Sequence, residues 1–536
     1  MQERVIENWL TNANELSFTI PYSQVLALQG HRILHISPKK ATLEQGKDII
    51  SVDRAGVVHC YQLKGEDVTL DRWRRELKPE VEAMIELPPR HPSLRKDTDW
   101  VCHLVVNGEF KGEATREIAD FQHAREASGR KSFDTVVRGQ LLRAFADVYG
   151  SYLPRELDDF TAFMDLYRED GLEPVNKAKL AQLLEGFFGQ AFAEGSKRPS
   201  RNAIRQQINA AVVSVSYLLA NKYRQKSYIA ALEGWLLLLG YVLAVAERND
   251  LSEKYWLPSV RLIEQIVDET VEDLLGELDE RVHYAQPTTV PYADAYVYKA
   301  RVTIVASYLA AYCMYRRIMG EASSAEPRVR AFLDKTVDLR LLEIKGEGQI
   351  VLIAIVALFY HLIGETEQAA ELLVACVGII LAMRDKGGMY DPYVDIQDII
   401  RSELRITLTP VERNVRGNSY VLLPLILLLA HMGQRDVLAS VWRNITHVGL
   451  QEFKPAEPWQ WFLWTCAHGR QEGRFAEQEQ SWRELVTFAH TPDATVMPEF
   501  LREEPCYIPL FFCLMPHRMS GYATRTLIAS LPPTNK

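Results

Sequence analysis

Glu44-Gln45-Gly46-Lys47-Asp48-Ile49-Ile50-Ser51-Val52, then Asp53-Arg54-Ala55-Gly56, then Val57-Val58-His59-Cys60-Tyr61-Gln62-Leu63-Lys64: this stretch decides how the chain is read. Two runs rich in Ile, Val and Tyr flank a four-residue segment of turn formers, which predicts a β-hairpin. Side chains alternate across a strand, so Gln62 and Lys64, two residues apart, share one face of the sheet. Asp48 stands at the end of the partner strand. An acid, an amide and an amine are thereby gathered in one corner of a small sheet.

Working outward, the first 105 or so residues alternate between helical and extended patterns. Gln2 to Asn12 reads as helix, Arg32 to Ser37 as strand, Leu70 to Glu86 as helix and Trp100 to Val106 as strand. The strands are apolar on both faces (Ile33, Leu34, Ile36; Trp100, Val101, Leu104, Val105), as expected of a sheet covered by helices on both sides. Glu113 to Ala127 and Phe133 to Tyr149 carry further helical patterns, with Gly150 and Pro154 as punctuation.

The residue types in the corner suit phosphodiester hydrolysis. That reaction needs neutralisation of the phosphate charge, an in-line water and a stabilised leaving oxygen. Magnesium meets these needs with few protein ligands, because it prefers hard oxygens and keeps several waters. Asp48, the Gln62 amide oxygen and the Leu63 backbone carbonyl form a candidate set for Mg²⁺ or Mn²⁺. Lys64 would then face the phosphate, orienting water or countering developing charge. The alternative is that Gln62 and Lys64 only decorate a strand edge beside an Asp48 that binds nothing.

An Asp followed, one hairpin later, by Gln-x-Lys resembles the PD-(D/E)XK nuclease superfamily, and most of all its Mrr-like restriction endonucleases, in which glutamine takes the second position. Here Lys47, not proline, precedes Asp48. The resemblance covers roughly residues 1 to 110, extending towards 150. It implies an α/β restriction-endonuclease-like domain with Asp48, Gln62 and Lys64 as catalytic residues, a divalent metal, DNA as substrate and a prokaryotic restriction or antiphage setting. In such sites a carboxylate from the first helix often joins the metal ligands. Glu7 is the candidate, the alternative being a surface glutamate on an amphipathic helix; Glu44 is either a supporting group or a solvated loop residue.

DNA contacts are expected from Arg72, Arg74, Arg75 and Lys78 on the helix after the hairpin, with Arg95 and Lys96 in the loop beyond it. Such clusters neutralise phosphates without reading sequence. The competing reading is a solvated helix face paired with Glu76, Glu80 and Glu82. No segment reads as a major-groove recognition helix.

Composition bounds the rest. The 536 residues are 47% hydrophobic and 24% charged, the range of folded multidomain proteins. Net charge is −9, yet residues 1 to 150 hold 21 Lys and Arg against 22 Asp and Glu, so the acidity belongs to the remainder. Seven scattered cysteines with no CxxC pair, and an N-terminus without a signal-peptide core, point to a reduced cytoplasmic setting. The apolar run Tyr228 to Ala246 carries Glu233 and is read as a core helix, so no membrane partner is expected. Signatures of phosphate-binding loops, dinucleotide folds, zinc proteases and serine hydrolases are missing.

From about residue 156 helical spacing prevails, giving a large all-α region of helical repeats or a bundle. Ala357 to Leu373 outlines a tetratricopeptide-like helix-turn-helix around Gly364, Leu428 to Ala439 repeats it around Gly433, and Cys466 to Trp482 does so faintly. The organisation read from sequence is a nuclease-like domain over 1–155, a helical domain over 156–340 and a tetratricopeptide-like domain over 341–536. The expectation is a Mg-dependent DNA endonuclease regulated through its helical part, which binds a protein partner or trigger; two copies would pair to cut both strands. The alternatives are an RNA nuclease, a non-catalytic nucleic-acid-binding scaffold, or a helical-repeat interaction protein.

Overall fold

A computed structural model describes residues 6–7, 10, 15–36, 47–95, 98–148, 163–167, 174–193, 199–280, 292–321, 323–384, 388–406, 413, 417–466, 469–470, 473–493 and 495–531. Two compact units emerge, one of residues 1–238 with 251–269, the other of 239–250 with 270–536. The first carries a small mixed sheet, and the second, among the described residues, is mainly helical with a two-residue strand pair and isolated bridges.

In the first unit a helical segment containing Ile6, Glu7 and Leu10 is followed by α1 (Glu15–Leu28), β1 (Arg32–Ile36), β2 (Ile49–Val52) and β3 (Val58–Lys64). Leu70–Arg72, the π-helical turn Trp73–Leu77 and Lys78–Glu86 then run on without a break as α2. β4 (Trp100–Val106), α3 (Glu113–Ala127), β5 (Asp134–Val136) and α4 (Arg138–Val148) complete the sheet region. The strands stand in the order β1 to β5; β1, β2 and β3 pair antiparallel, while β3–β4 and β4–β5 are parallel.

The hairpin forms where the sequence places it, with Ile49 opposite Tyr61 and Val52 opposite Val58. Asp53 closes it, its Oδ1 accepting the Ala55 and Val57 N–H groups at 2.9 and 2.8 Å. Gly56 follows at φ +87°, a conformation in which a side chain is strained. Two expectations are corrected here. Phe133 to Tyr149 is not helical throughout, because Asp134–Val136 pairs with β4 as a fifth strand before the helix starts at Arg138. α1 was not anticipated: it carries Pro21 inside it and lacks a one-sided apolar stripe.

One face of the sheet packs Ile50, Val58, Cys60, Leu104 and Val106 against Trp73, Leu77 and Val81 of α2 and Ile118 of α3. Trp73, named in sequence among the basic residues, is a core side chain with its ring edge-on to Phe121 at 5.9 Å. Burying about 150–250 Å² of ring at about 25 cal/mol/Å² is worth on the order of 5 kcal/mol, so its arginine neighbours are held on the outer side. On the other face Tyr61 meets Tyr22 of α1, and Tyr22, Phe145 and Tyr217 continue the contact through α4 to the helix Arg201–Arg224. Both faces are therefore covered, as the doubly apolar strands require.

In the second unit the helix pairs Glu347–Leu362 with Thr366–Arg384, and Leu422–His431 with Arg435–Ile445, turn at Gly364 (φ +96°) and Gly433 (φ +75°). The third outline is corrected. Among the described residues of Cys466 to Trp482 there is no helix pair: Phe475 bridges antiparallel to Gly449, and helix begins at Trp482. The strand pair Asn418–Ser419 with Gly449–Leu450 was also unforeseen. None of the seven cysteines forms a disulfide. Two helices among the described residues are long and apolar enough to cross a membrane, Tyr228–Arg248 with 94% of its apolar window buried within the fold and Thr366–Met383 with 33%.

A chain of three histidines ties the second unit together. His361 Nε2 lies 3.2 Å from His431 Nε2, and His431 Nδ1 lies 3.0 Å from His490 Nε2. His490 Nδ1 faces the Val486 carbonyl at 2.9 Å and must donate to it. Each neutral ring then donates to the next, and Thr366 Oγ1, 3.1 Å from His361 Nδ1, supplies the first proton. Three uncharged rings satisfy every bond. Burial, reinforced by the two flanking rings, pushes the His431 pKa down to about 4. A base with a folded-state pKa below its unfolded value of about 6.5 takes up a proton on unfolding. Its contribution is complete above pH 6.5 and is lost as pH falls towards 4. The wild-type urea midpoint should therefore drop more steeply from pH 6.5 to 4.5 than that of His431→Gln; equal slopes would exclude the chain as the cause.

Candidate metal and phosphodiester site

The three residues singled out in sequence lie at one corner of the sheet, where β2 begins and β3 ends. The Asp48 N–H donates to the Tyr61 carbonyl at 2.7 Å, fixing the acid beside the last turn of pleat in β3. Asp48 Oδ2 accepts the Gln62 amide Nε2 at 2.9 Å and the Leu63 backbone N–H at 2.6 Å. Lys64 turns to α2 and pairs with Glu80, Nζ to Oε2 2.9 Å. Asp48 and Gln62 touch, and Lys64 is reached through the shared face rather than by direct contact.

Backbone direction adds a candidate oxygen. The Lys64 carbonyl accepts the Asn107 N–H at 3.2 Å on the β4 side. Successive residues of a strand direct their polar groups to opposite sides, so the Leu63 N–H and carbonyl both project towards Asp48. The Gln62 amide oxygen is the anomaly: the side chain is 3% exposed, and Oε1 is buried with no hydrogen-bond partner. An orphaned buried acceptor costs about 1–3 kcal/mol, which a cation or a donor at that point would relieve. Among the described residues no group of three or more His, Cys, Asp or Glu stands ready to hold a metal. A hard cation does not need one: a carboxylate, an amide oxygen and a carbonyl, with water in the other positions, fit magnesium or manganese.

The loop leaving β3 is held tightly. Glu66 adopts φ +68°, unusual for a residue with a side chain, and its N–H donates to Asn107 Oδ1 at 2.7 Å. Asn107 Nδ2 in turn donates to the Leu10 carbonyl at 3.1 Å, which brings the N-terminal helical segment to this end of the sheet. Gly108 is required here, since a Cβ would sit 2.4 Å from the Glu66 backbone. Glu7, on that same segment, has an exposed side chain. Glu44 lies outside the described residues, as does Lys96.

Chemistry at neighbouring groups is constrained by burial. Lys47 is 2% exposed, and burial lowers its ammonium pKa. Burial likewise pushes the Cys60 thiol up to about 12, so it offers no thiolate nucleophile.

Three of the basic residues expected to meet DNA, Arg72, Arg74 and Arg75, have acidic partners. Arg72 donates to Glu76 at 3.1 Å and to the Gly65 carbonyl at 2.7 Å, so it braces the loop after Lys64. Arg74 pairs with Glu117 at 2.6 Å and Arg75 with Asp71 at 2.8 Å. Lys78 sits over the Phe121 ring at 5.1 Å, and Arg95 is exposed in the following loop. Exposed pairs such as those of Arg74 and Arg75 are worth only about 0–1 kcal/mol, so phosphate can replace the carboxylate at small cost.

Two features escaped sequence reading. Glu80 is the partner of Lys64, and the signal that could have found it is its place on the buried side of α2, one residue before Val81. The other is a polar cluster on the opposite sheet face: His59 Nδ1 meets His103 Nε2 at 3.0 Å, with Asp53 3.4 Å from His59 and Asp134 3.8 Å from His103. The two rings lie at 21° to one another, so the N–H of one points at the lone pair of the other, and those two nitrogens do not converge on a metal. Burial and the nearby His59 push the His103 pKa down to about 4.

Glu80→Gln keeps a group that hydrogen-bonds Lys64 but removes the counter-charge. If Glu80 positions the ammonium, this variant should cut more slowly by about tenfold with KM little changed, and Glu80→Ala by more. Unchanged kcat in both variants would leave the pair as surface decoration.

No family model, curated protein or solved structure matches this chain.

Proposed function

We propose that the first unit is a divalent-metal-dependent phosphodiesterase acting on DNA as an endonuclease. One observation carries the reading: Asp48 contacts the Gln62 amide and the Leu63 backbone at the end of a strand that presents a lysine two residues on, and the Gln62 amide oxygen beside that contact is buried without a donor. Asp48, Gln62 Oε1 and the Leu63 carbonyl would hold Mg²⁺ or Mn²⁺. When bound, the cation neutralises phosphate charge and lowers the pKa of water.

The chain's own groups do the rest. Asp48 is oriented by two hydrogen bonds to Oδ2, and its carboxylate would supply the negative charge that faces the cation. Lys64, held by Glu80, places a positive charge against the non-bridging phosphate oxygens and the leaving oxygen, where negative charge grows. Arg74, Arg75 and Lys78 on α2, with Arg95 beyond it, would take neighbouring phosphates without regard to sequence. A restriction or defence setting, with control through the helical unit, follows from the same resemblance.

The experiment is a cleavage assay of the full chain on supercoiled plasmid, single-stranded DNA and RNA, with Mg²⁺, Mn²⁺ or EDTA. Nicking of plasmid in metal and none in EDTA is expected. Cleavage of RNA alone would change the substrate class. Metal-independent cutting, or DNA binding with no cutting in either metal, would favour a non-catalytic nucleic-acid-binding scaffold.

A further inference from the structure

The second unit contains a cavity of about 520 Å³ that has no part in the proposed nuclease chemistry. Pockets for small molecules span about 300–1,000 Å³ and combine an apolar lining with a few placed polar groups. Here Ile426, Leu450 and Leu485 form apolar lining, and Trp442, Phe475 and Phe488 contribute rings. Phe475 is 61% exposed, an unusual setting for a large apolar side chain, and it stands on a segment whose backbone is fixed: the Leu450 N–H donates to the Arg474 carbonyl at 2.9 Å. A Cβ at Gly473 would overlap the Leu450 carbonyl, so this wall can approach only as glycine.

The charged lining is unbalanced in its unused hydrogen-bonding capacity. On the acidic side, Asp493 accepts from Thr495 and Arg525, Glu452 accepts the Gly521 N–H at 2.7 Å, and Glu484 accepts from Ser481. On the basic side, Arg525 donates to the Thr491 carbonyl and Asp493, yet its Nε–H is buried with no acceptor. Arg474 lines the same cavity and, among the described residues, makes no ion pair. Glu477, the fourth carboxylate of the lining, and Lys454, its third cation, are exposed at the rim; the three carboxylates named above are occupied, while the buried Arg525 Nε–H and the Arg474 guanidinium remain. A ligand that completes the site must bring acceptors, and the rings favour one with a flat face.

We propose that this cavity binds a small planar anion, a ring system bearing a phosphate or carboxylate, with the anionic group on Arg474 and on Arg525, whose guanidinium lies 4.3 Å over the Phe488 ring, and the flat part against Trp442 and Phe475. The assignment stands apart from the nuclease reading. It is tested by calorimetry on the full chain with two probes, adenosine monophosphate and indole-3-acetate, beside their uncharged counterparts adenosine and indole. Saturable one-to-one binding of one or both anions with Kd below about 1 mM is expected, at least about tenfold tighter than the uncharged partner. The preferred probe distinguishes phosphate from carboxylate. Arg474→Gln and Phe475→Ala, both at exposed positions, should each weaken binding by about tenfold or more while circular dichroism stays unchanged. The proposal is overturned if neither anion binds saturably, if the uncharged compounds bind as well, or if both variants bind like the wild type.

Discussion

Asp48→Asn should lower metal-dependent plasmid cleavage by about 10³-fold or more, the loss of some 4 kcal/mol of transition-state stabilisation. The substitution is chosen because the structure can absorb it. The asparagine Oδ1, placed where Asp48 Oδ2 stands, can still accept the Leu63 N–H at 2.6 Å and the Gln62 amide at 2.9 Å. Both hydrogen bonds are kept without moving Gln62, so stability should stay within about 1 kcal/mol of the wild type. What disappears is the carboxylate charge beside Gln62. Activity thus collapses while stability holds, a signature that simple misfolding cannot imitate. Near-wild-type cutting by Asp48→Asn, with Mg²⁺ still required, would remove Asp48 from the metal site and end the enzymatic reading of this corner.

The same corner shows which features of the chain sequence reasoning could reach. The hairpin was legible because both of its causes are local: alternating apolar residues on either side, and an Asp-x-x-Gly turn whose first side chain caps its own backbone. β4 was legible for the same reason, its seven residues matching the expected span Trp100 to Val106. β5 was not, since Asp134–Val136 is three residues long and becomes a strand only through its parallel partner β4. α1 was missed because Pro21 and the absence of an apolar stripe hide a helix that is held by contacts with residues far along the chain. At the site, the Asp48–Gln62 contact followed from strand spacing. The Lys64–Glu80 pair did not, because it depends on how α2 lies across the sheet. The histidine pair of β3 and β4 was equally hidden, His59 and His103 being 44 residues apart and joined only by strand register. Among the helices, Gly364 and Gly433 marked real turns, whereas the segment before Trp482 had the composition of a turn without a preceding helix.

The largest stability effect is expected at Arg518. This side chain is fully buried, and burial pulls its pKa down to about 10, still charged at neutral pH. Among the described residues it is paired with no carboxylate; instead Nε donates to the Trp461 carbonyl at 2.8 Å, Nη2 donates to the Leu463 carbonyl, and the guanidinium lies 3.5 Å over the Phe453 ring. Those carbonyls belong to the end of the 3₁₀ turn Pro458–Phe462 and the residue after it, where helical carbonyls lack internal partners. Arg518→Met preserves volume but strands both acceptors, at about 1–3 kcal/mol each, and forfeits a desolvated cation–π contact worth about 2 kcal/mol. Against this stands relief of burying a charge whose Nη1 has no partner. The acceptors and the ring together outweigh that relief, and a net loss of about 3–4 kcal/mol is expected, read as a lower urea midpoint by fluorescence of the buried Trp461. Arg518→Lys should recover less than half, because one ammonium cannot span two carbonyls that the planar fork bridges. A Met variant within about 1 kcal/mol of wild type would mean that charge burial cancels the gain, leaving the Trp461 and Leu463 carbonyls to find other donors.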